Sequence, residues 1–461
     1  MKEKNLFSKF KNGYAFIPPS WRFSIATWLG LRMFYAVWGM IVVSLFPLSV
    51  QNFEYQGISV VPIFNLETSQ AYLYERQVGE ELLTFRMLDN NTIFDEQTGS
   101  HWLVSIGAAF RGAFTGYRLT RSNIPVEEIF PYLGVQPYPY SFLSIWQRFD
   151  TNWYLSIAER GYGAVSGDKY FPPLYPALIR LVGFFTGDLF FAGLLISHLA
   201  SLLVIRLLYN FFGEWLPPVI SKRAFLFFLI FPASYYLFAA YSESLYFLFV
   251  LSFLFLSQKR AWILAGVCVS LATLTRLHGV ALLPVLLYAM YMDKPFLQKR
   301  SHWLGLFISG MGGVLYIFLR YVTGSDSVLP VAESTWQFRL AFPWEAFIHA
   351  FRYLFSGRAA VIDVINLILV ITLIVLLLFG WKKMPKIYSL YAVFAFLSML
   401  PWINETQPFV SAVRYSLSLF PVFGLLGIYA QRKMVERFLV ILFLLFMLYF
   451  SAQFWLWGWV A

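Results

Sequence analysis

Cysteine is nearly missing: Cys268 is the one such residue in 461. Disulfides, thiolate catalysis and cysteine-based metal sites are thereby excluded. Charge is scarce as well. Asp, Glu, Lys and Arg make up 13% of the chain against 59% hydrophobic and 20% aromatic residues, a balance that no water-soluble core can accommodate. The sequence also has no glycine-rich P-loop, no dinucleotide fingerprint, no HExxH and no DxD pair of the kind that holds a metal with a nucleotide sugar. Nucleotide-driven chemistry is therefore not expected, and no resident cofactor is required; nothing points to a divalent cation, although one is compatible with the chain.

What is present in quantity is apolar sequence in runs near the ~20 residues that cross a bilayer. Candidate spans are Ser24 to Leu48, Asp188 to Phe212, Ala224 to Tyr241, Ser242 to Ser257, Ala261 to Thr275 and His278 to Met292. Five more follow at His302 to Thr323, Ala360 to Gly380, Ile387 to Ile403, Ser411 to Ala430 and Val435 to Trp457. The expectation is an all-α polytopic membrane protein, a single transmembrane unit over residues 1–461 with about eleven helices.

A net charge of +11 would suit nucleic acid, but the basic residues sort by loop. With a cytoplasmic N-terminus carrying Lys2, Lys4, Lys9, Lys11 and Arg22, the same side receives Lys222/Arg223, Lys259/Arg260, Lys294/Lys299/Arg300, Lys382/Lys383/Lys386 and Arg432/Lys433/Arg437. That is the positive-inside pattern, and it removes the need for a nucleic-acid partner. Two large outward segments result, residues 49–172 and 324–358. Within the first, Leu82 to Tyr117 reads as partly helical, and Ile129 to Tyr140, rich in Pro and Tyr, as a loop on the membrane surface. From Ser141 to Tyr162, Trp146, Phe149, Trp153 and Ile157 recur at spacings of three and four, predicting one helix lying flat at the interface and ending at Gly161. Leu174 to Gly187 is too short to cross and reads as re-entrant or as an extension of the next helix.

Four places carry groups able to do chemistry. Asp150, beside Arg148 on the aromatic helix, sits where a lipid-borne substrate would present its head, or is simply solvated there. Glu243 lies inside a very apolar run, facing either a polar cavity or an interfacial turn; at mid-membrane an ionised group costs ~2.5–3.5 kcal/mol. Arg276 and His278, in LTRLHG, and Arg414, in SAVRYSLSLFP, stand at outward span ends, where they suit a phosphate or snorkel to lipid headgroups. Pro232 is expected to kink its helix. Asn90-Asn91-Thr92 and Asn404-Glu405-Thr406 match a glycosylation acceptor, a weak pattern.

The pattern Trp146-x-Arg148-Phe149-Asp150-x-x-Trp153-Tyr154-x-x-Ile157-Ala158-x-x-Gly161-Tyr162, followed by Tyr170-Phe171-Pro172-Pro173-Leu174-Tyr175-Pro176, resembles the PIG-V family of mannosyltransferases. Pro232-Ala233-Ser234, Ala239-Ala240-Tyr241-Ser242-Glu243-Ser244-Leu245 and Thr275-Arg276 with Gly279 resemble further parts of that family's signature, so the likeness runs from Trp146 to Pro284. The resemblance implies a GT-C-like bundle with a large first extracytoplasmic loop carrying interfacial helices. It implies a polyprenyl- or dolichyl-phosphate sugar as donor, a lipid or glycan acceptor, and a setting among membrane lipids in a bacterial plasma membrane, or the endoplasmic reticulum of a eukaryote. Carried over by position, Asp150 is the general base. Beside it, Arg276 and Arg414 are expected to hold the phosphate and Glu243 to bind the sugar or support the site, with Arg148, Trp153, Tyr154 and His278 also expected around the substrate. The loop before Trp146 is longer than in eukaryotic relatives, and Pro172 stands where phenylalanine is usual. A transporter or lipid flippase is the competing class; it would favour inverted repeats, and none is visible in the sequence.

Overall fold

The computed structural model describes residues 18–55, 57–65, 70–124, 132–139, 141–165, 167–294, 298–323, 338–357, 359–404 and 407–458. Outside them lie the four N-terminal lysines, residues 324–337 of the second outward segment, part of the Ile129 to Tyr140 loop, and Glu405 and Thr406 of the second acceptor triplet.

The chain is a multi-pass, mostly helical membrane protein. Helix α1 (Pro19–Leu45) leads into ten short strands: β1 (Leu48–Val50), β2 (Phe53–Tyr55), β3 (Ile58–Asn65), β4 (Gln70–Glu75), β5 (Gln77–Val78), β6 (Glu81–Leu82), β7 (Phe85–Met87), β8 (Thr92–Asp95), β9 (His101–Leu103) and β10 (Ala108–Arg111). Helices α2 (Ser141–Ser144), α3 (Asp150–Arg160), α4 (Leu174–Thr186), α5 (Leu189–Trp215), α6 (Pro218–Leu229), α7 (Glu243–Gln258), α8 (Trp262–Thr275), α9 (Leu282–Met292) and α10 (Arg300–Val322) follow. The last part holds β11 (Phe338–Leu340), α11 (Pro343–Phe355), α12 (Val361–Gly380), α13 (Lys386–Leu397), β12 (Trp402–Asn404), α14 (Ala412–Ser416), α15 (Phe420–Tyr429) and α16 (Lys433–Trp455).

The helical expectation for Leu82 to Tyr117 is overturned. β3 pairs antiparallel with β1, β2 and β4, and a second sheet runs β10-β9-β8-β7. The apolar residues obey a period of two: Phe85, Ile93 and Trp102 turn inward onto Val61, Ile63 and Leu83, forming a core separate from that of the helices. Asp89 at the β7–β8 turn accepts the Asn91 amide at 2.9 Å, a local bond that competes with helix. Residues 48–111 therefore form a strand unit that includes most of the stretch expected to be partly helical, while the segment keeps helices at Ser141–Ser144 and Asp150–Arg160.

Among the described residues, α1, α5, α10, α12 and α16 are long and apolar enough to cross a bilayer. The others are short for a physical reason. α7 has 16 residues and α8 has 14, reaching about 24 and 21 Å at 1.5 Å per residue. They stop where α7 begins at Glu243 and α8 gives way to Arg276, at the rim of a cavity. Irregular backbone is tolerated at membrane depth where it lines such a space. Likewise the Ala224 to Tyr241 run is no continuous helix: α6 ends at Leu229 and a 3-10 turn, Ser234–Leu237, follows Pro232, so the proline terminates rather than kinks. The Ser411 to Ala430 run divides into α14 and α15. α4 doubles back on α5, its Tyr175 hydroxyl donating to the Gly193 carbonyl at 3.0 Å, and crosses nothing.

The end away from the strand unit carries the basic turns. There Lys299 (2.6 Å), Arg260 (3.2 Å) and His302 (3.2 Å) surround Asp293, with the Trp262 indole donating at 2.8 Å. The Lys299 ammonium and the Trp262 and His302 bonds hold that carboxyl at about 2. This clamp ties the loops flanking α8, α9 and α10.

Candidate active site

Asp150 opens α3, and the chain bends sharply to place it. Phe149 has φ 45° and ψ −112°, a region that residues with a Cβ avoid at a cost on the order of 1–3 kcal/mol. Packing enforces the bend: the Phe149 ring lies 5.3 Å from Trp457 and 6.0 Å from Phe454. The Tyr241 hydroxyl accepts from the Asp150 amide and donates to the Arg148 carbonyl, both at 3.2 Å. The flat surface helix expected from Ser141 to Tyr162 is thus two helices with a corner between them. α3 is buried along its length from Asp150 to Ala158, because aromatic groups from α16 and from Phe171 close over the face that would have met solvent.

Arg414 arrives from the far end of the chain on the five-residue α14. Two residues before it have left-handed backbone, Phe409 at φ 53° and Ser411 at φ 64°. Its Nη2 meets Asp150 Oδ2 at 2.6 Å, and its Nε donates to Glu243 Oε1. Arg276 Nη1 reaches the same Glu243 oxygen at 2.5 Å and Ser242 Oγ at 3.3 Å, while that hydroxyl bonds Tyr154 Oη at 2.8 Å. The four ions form a chain: Asp150, Arg414, Glu243, Arg276. Arg414, Glu243 and Asp150 expose only 4%, 7% and 8% of their surface. Buried charges persist only when paired, and two carboxylates against two guanidiniums leave the group neutral. Arg414 also lies over the Tyr241 ring at 4.7 Å, and Arg276 over Tyr415 at 5.0 Å.

One side of this chain faces a cavity of about 210 Å³, lined by Asp150, Tyr154, Tyr170, Arg276, His278, Arg414 and Tyr415. Its roof is the β11–β12 ribbon: Phe338 and Asn404 reach it, and the Phe338 ring stacks on Tyr170 at 6.0 Å. A chamber of about 20 Å³ behind the arginines is bounded by Glu243, whose Oε2 accepts no hydrogen bond among the described residues. On the other face of α14, Val413 and Ser416 join α12, α15 and α16 around an apolar groove of about 440 Å³.

The fold thus gathers Asp150, Tyr154, Glu243, Arg276, His278 and Arg414. Arg148 and Trp153 are not among them. Arg148 points away, donating to the carbonyls of Trp455 (2.8 Å) and Ser144 (2.7 Å) under the Trp457 ring, where it fastens α2 to α16. Trp153 stacks on Phe171 at 5.5 Å. Tyr170, Tyr415 and the supporting Tyr241 were not among the residues expected at the site, and Asn404 was read only as part of a glycosylation triplet. Tyr170 and Tyr241 stand inside the quoted motifs, which was the available signal; Tyr415 follows Arg414 in the SAVRYSLSLFP run.

The sequence profile of the dolichyl-phosphate-mannose-protein mannosyltransferase family matches residues 171–316. No curated protein matches the chain. Among solved structures, the Archaeoglobus fulgidus oligosaccharyltransferase, crystallised with a disulfide-tethered acceptor peptide containing the NVT sequon, aligns at 10% identity with a TM-score of 0.34. That alignment covers 69% of this chain and spans about half, 51%, of the other.

Proposed function

We propose that this protein is a membrane glycosyltransferase that takes a sugar, mannose by the family match over residues 171–316, from a polyprenyl- or dolichyl-phosphate carrier and passes it to a lipid-linked or glycolipid acceptor on the extracytoplasmic face. The observation that carries this reading is the ion chain at the cavity wall, which sets one carboxylate, Asp150, 2.6 Å from an arginine beside a sugar-sized space. Arg414 and Arg276 are the groups for the donor phosphate. Each guanidinium has five donors, and Glu243 engages only part of either fork. As the anomeric carbon–oxygen bond breaks, the departing phosphate gains charge between the two arginines, which stabilises the transition state. The acceptor hydroxyl oxygen attacks the anomeric carbon from the opposite side and its proton passes to the Asp150 carboxylate, inverting the configuration.

The apolar groove fits the carrier. It follows α12 from Ile365 to Leu376, about 16 Å of helix, and begins on the very helix that presents Arg414. Head and chain of one lipid would thus lie on two faces of α14. Incubating the purified protein with a polyprenyl-phosphate mannose and a glycolipid acceptor tests the reading: released polyprenyl phosphate and an inverted glycosidic product are expected. Retention of configuration, or no consumption of lipid-phosphate sugars of any kind, overturns it.

A further inference from the structure

α11 presents three faces. Ala346 and Ala350 are buried, and Phe347 packs on Phe409 at 5.0 Å. Glu345 and Arg352 share a polar side, where Glu345 pairs with Arg339 at 3.1 Å, while His349 between them has its Nε2 buried. The third face is apolar and bare: Trp344, Ile348, Phe351 and Phe355 recur at i, i+4, i+7 and i+11, 60%, 48%, 45% and 83% exposed. On a wheel of 100° per residue these four fall within about 60° of one another. A helix packed on one side, wet on the second and greasy on the third fits the plane between lipid and water. The bare stripe continues into α12, the next helix, which is apolar enough to cross a bilayer.

We infer that α11 docks on the membrane surface through the Trp344, Ile348, Phe351 and Phe355 stripe, and that this docking holds the active cavity in shape. The partner is the phospholipid bilayer at the end of the bundle that carries the cavity. Two contacts link the stripe to the cavity. Before α11, β11 carries Phe338 into the roof; beneath it, Phe347 braces Phe409, the left-handed residue five positions before Arg414. Lipid that seats the helix therefore steadies both the roof and the segment that aims Arg414.

Two readouts on the full-length protein in vesicles test this without any assay of sugar transfer. Subtracting the fluorescence of Trp344→Phe from that of wild type isolates the Trp344 signal. Lipids brominated near the headgroup end of their chains are expected to quench it more than lipids brominated at the chain ends; no quenching overturns the docking. In the double variant Ile348→Ser/Phe355→Ser, amide exchange over residues 407–416 is expected to quicken about tenfold while exchange around Trp102 stays as in wild type. Unchanged exchange at 407–416 overturns the coupling. Phe355→Leu keeps the apolar face and should exchange as wild type, and Ile348→Thr gives the same reading should the double variant unfold.

Discussion

At the scale of single residues, each ion at the cavity wall is held by its partners. Glu243 lies between two guanidiniums, and replacing it with Gln leaves Arg276 with no carboxylate partner and Arg414 with Asp150 alone. Breaking a buried pair in this way costs about 3–5 kcal/mol, so Glu243→Gln should lower the thermal midpoint in detergent markedly, whereas Asp150→Asn, at the end of the ion chain, should lower it less. Equal losses in the two variants would contradict Glu243 as the central member of the ion chain. Arg148 gives the converse expectation. It was read as a substrate ligand from its place beside Asp150, but its side chain serves Trp455 and Ser144, so Arg148→Met should impair folding more than the KM for donor. Alternate residues at a helix entry point in opposite directions, and sequence position alone does not reveal which one turns inward.

At the scale of elements, Gly279 shows why the Arg276 turn has its composition. A Cβ there would lie 2.3 Å from the Thr273 nitrogen and 2.5 Å from the Ala272 carbon, both backbone atoms of the preceding helix. Gly279→Ala must push the turn off α8 and carry Arg276 and His278 with it; overpacking of this kind costs roughly 1–3 kcal/mol. The expected result is a folded protein with weakened donor affinity, measured as a raised KM, and an unchanged KM would show the turn to be slack. The long apolar elements α1, α5, α10, α12 and α16 were legible in the sequence because their hydropathy alone specifies them. The strand unit was not: its strands hold only two to eight residues each, and their alternation is interrupted by turns before a periodicity can accumulate. The corner at Phe149 was equally hidden, since an i, i+3, i+4 pattern says nothing about one residue forced to φ 45° by rings from α16.

At the scale of the whole molecule, residues 93 to 264 positions apart in sequence meet at one wall: Asp150 with Glu243, Arg276 and Arg414. The sequence suggested these residues by type and by family likeness, while their convergence depends on α7, α8 and α14 all ending at the same level. The resulting site opens toward the end of the bundle that carries the strand unit, opposite the basic turns around Asp293 and Arg223. With the strand-unit end facing outward, as the proposed function has it, a membrane-impermeant carbodiimide added outside intact cells is expected to abolish sugar transfer, with donor protecting it; loss of transfer only after the inner face is opened would reverse the orientation. The central claim, that Asp150 receives the acceptor proton beside an arginine-held phosphate, is tested most directly by sugar transfer in proteoliposomes from a lipid-phosphate mannose, comparing wild type with Asp150→Asn. A fall in kcat of about 10²–10⁴ with little change in donor affinity is predicted. Transfer by Asp150→Asn at the wild-type rate would contradict the account.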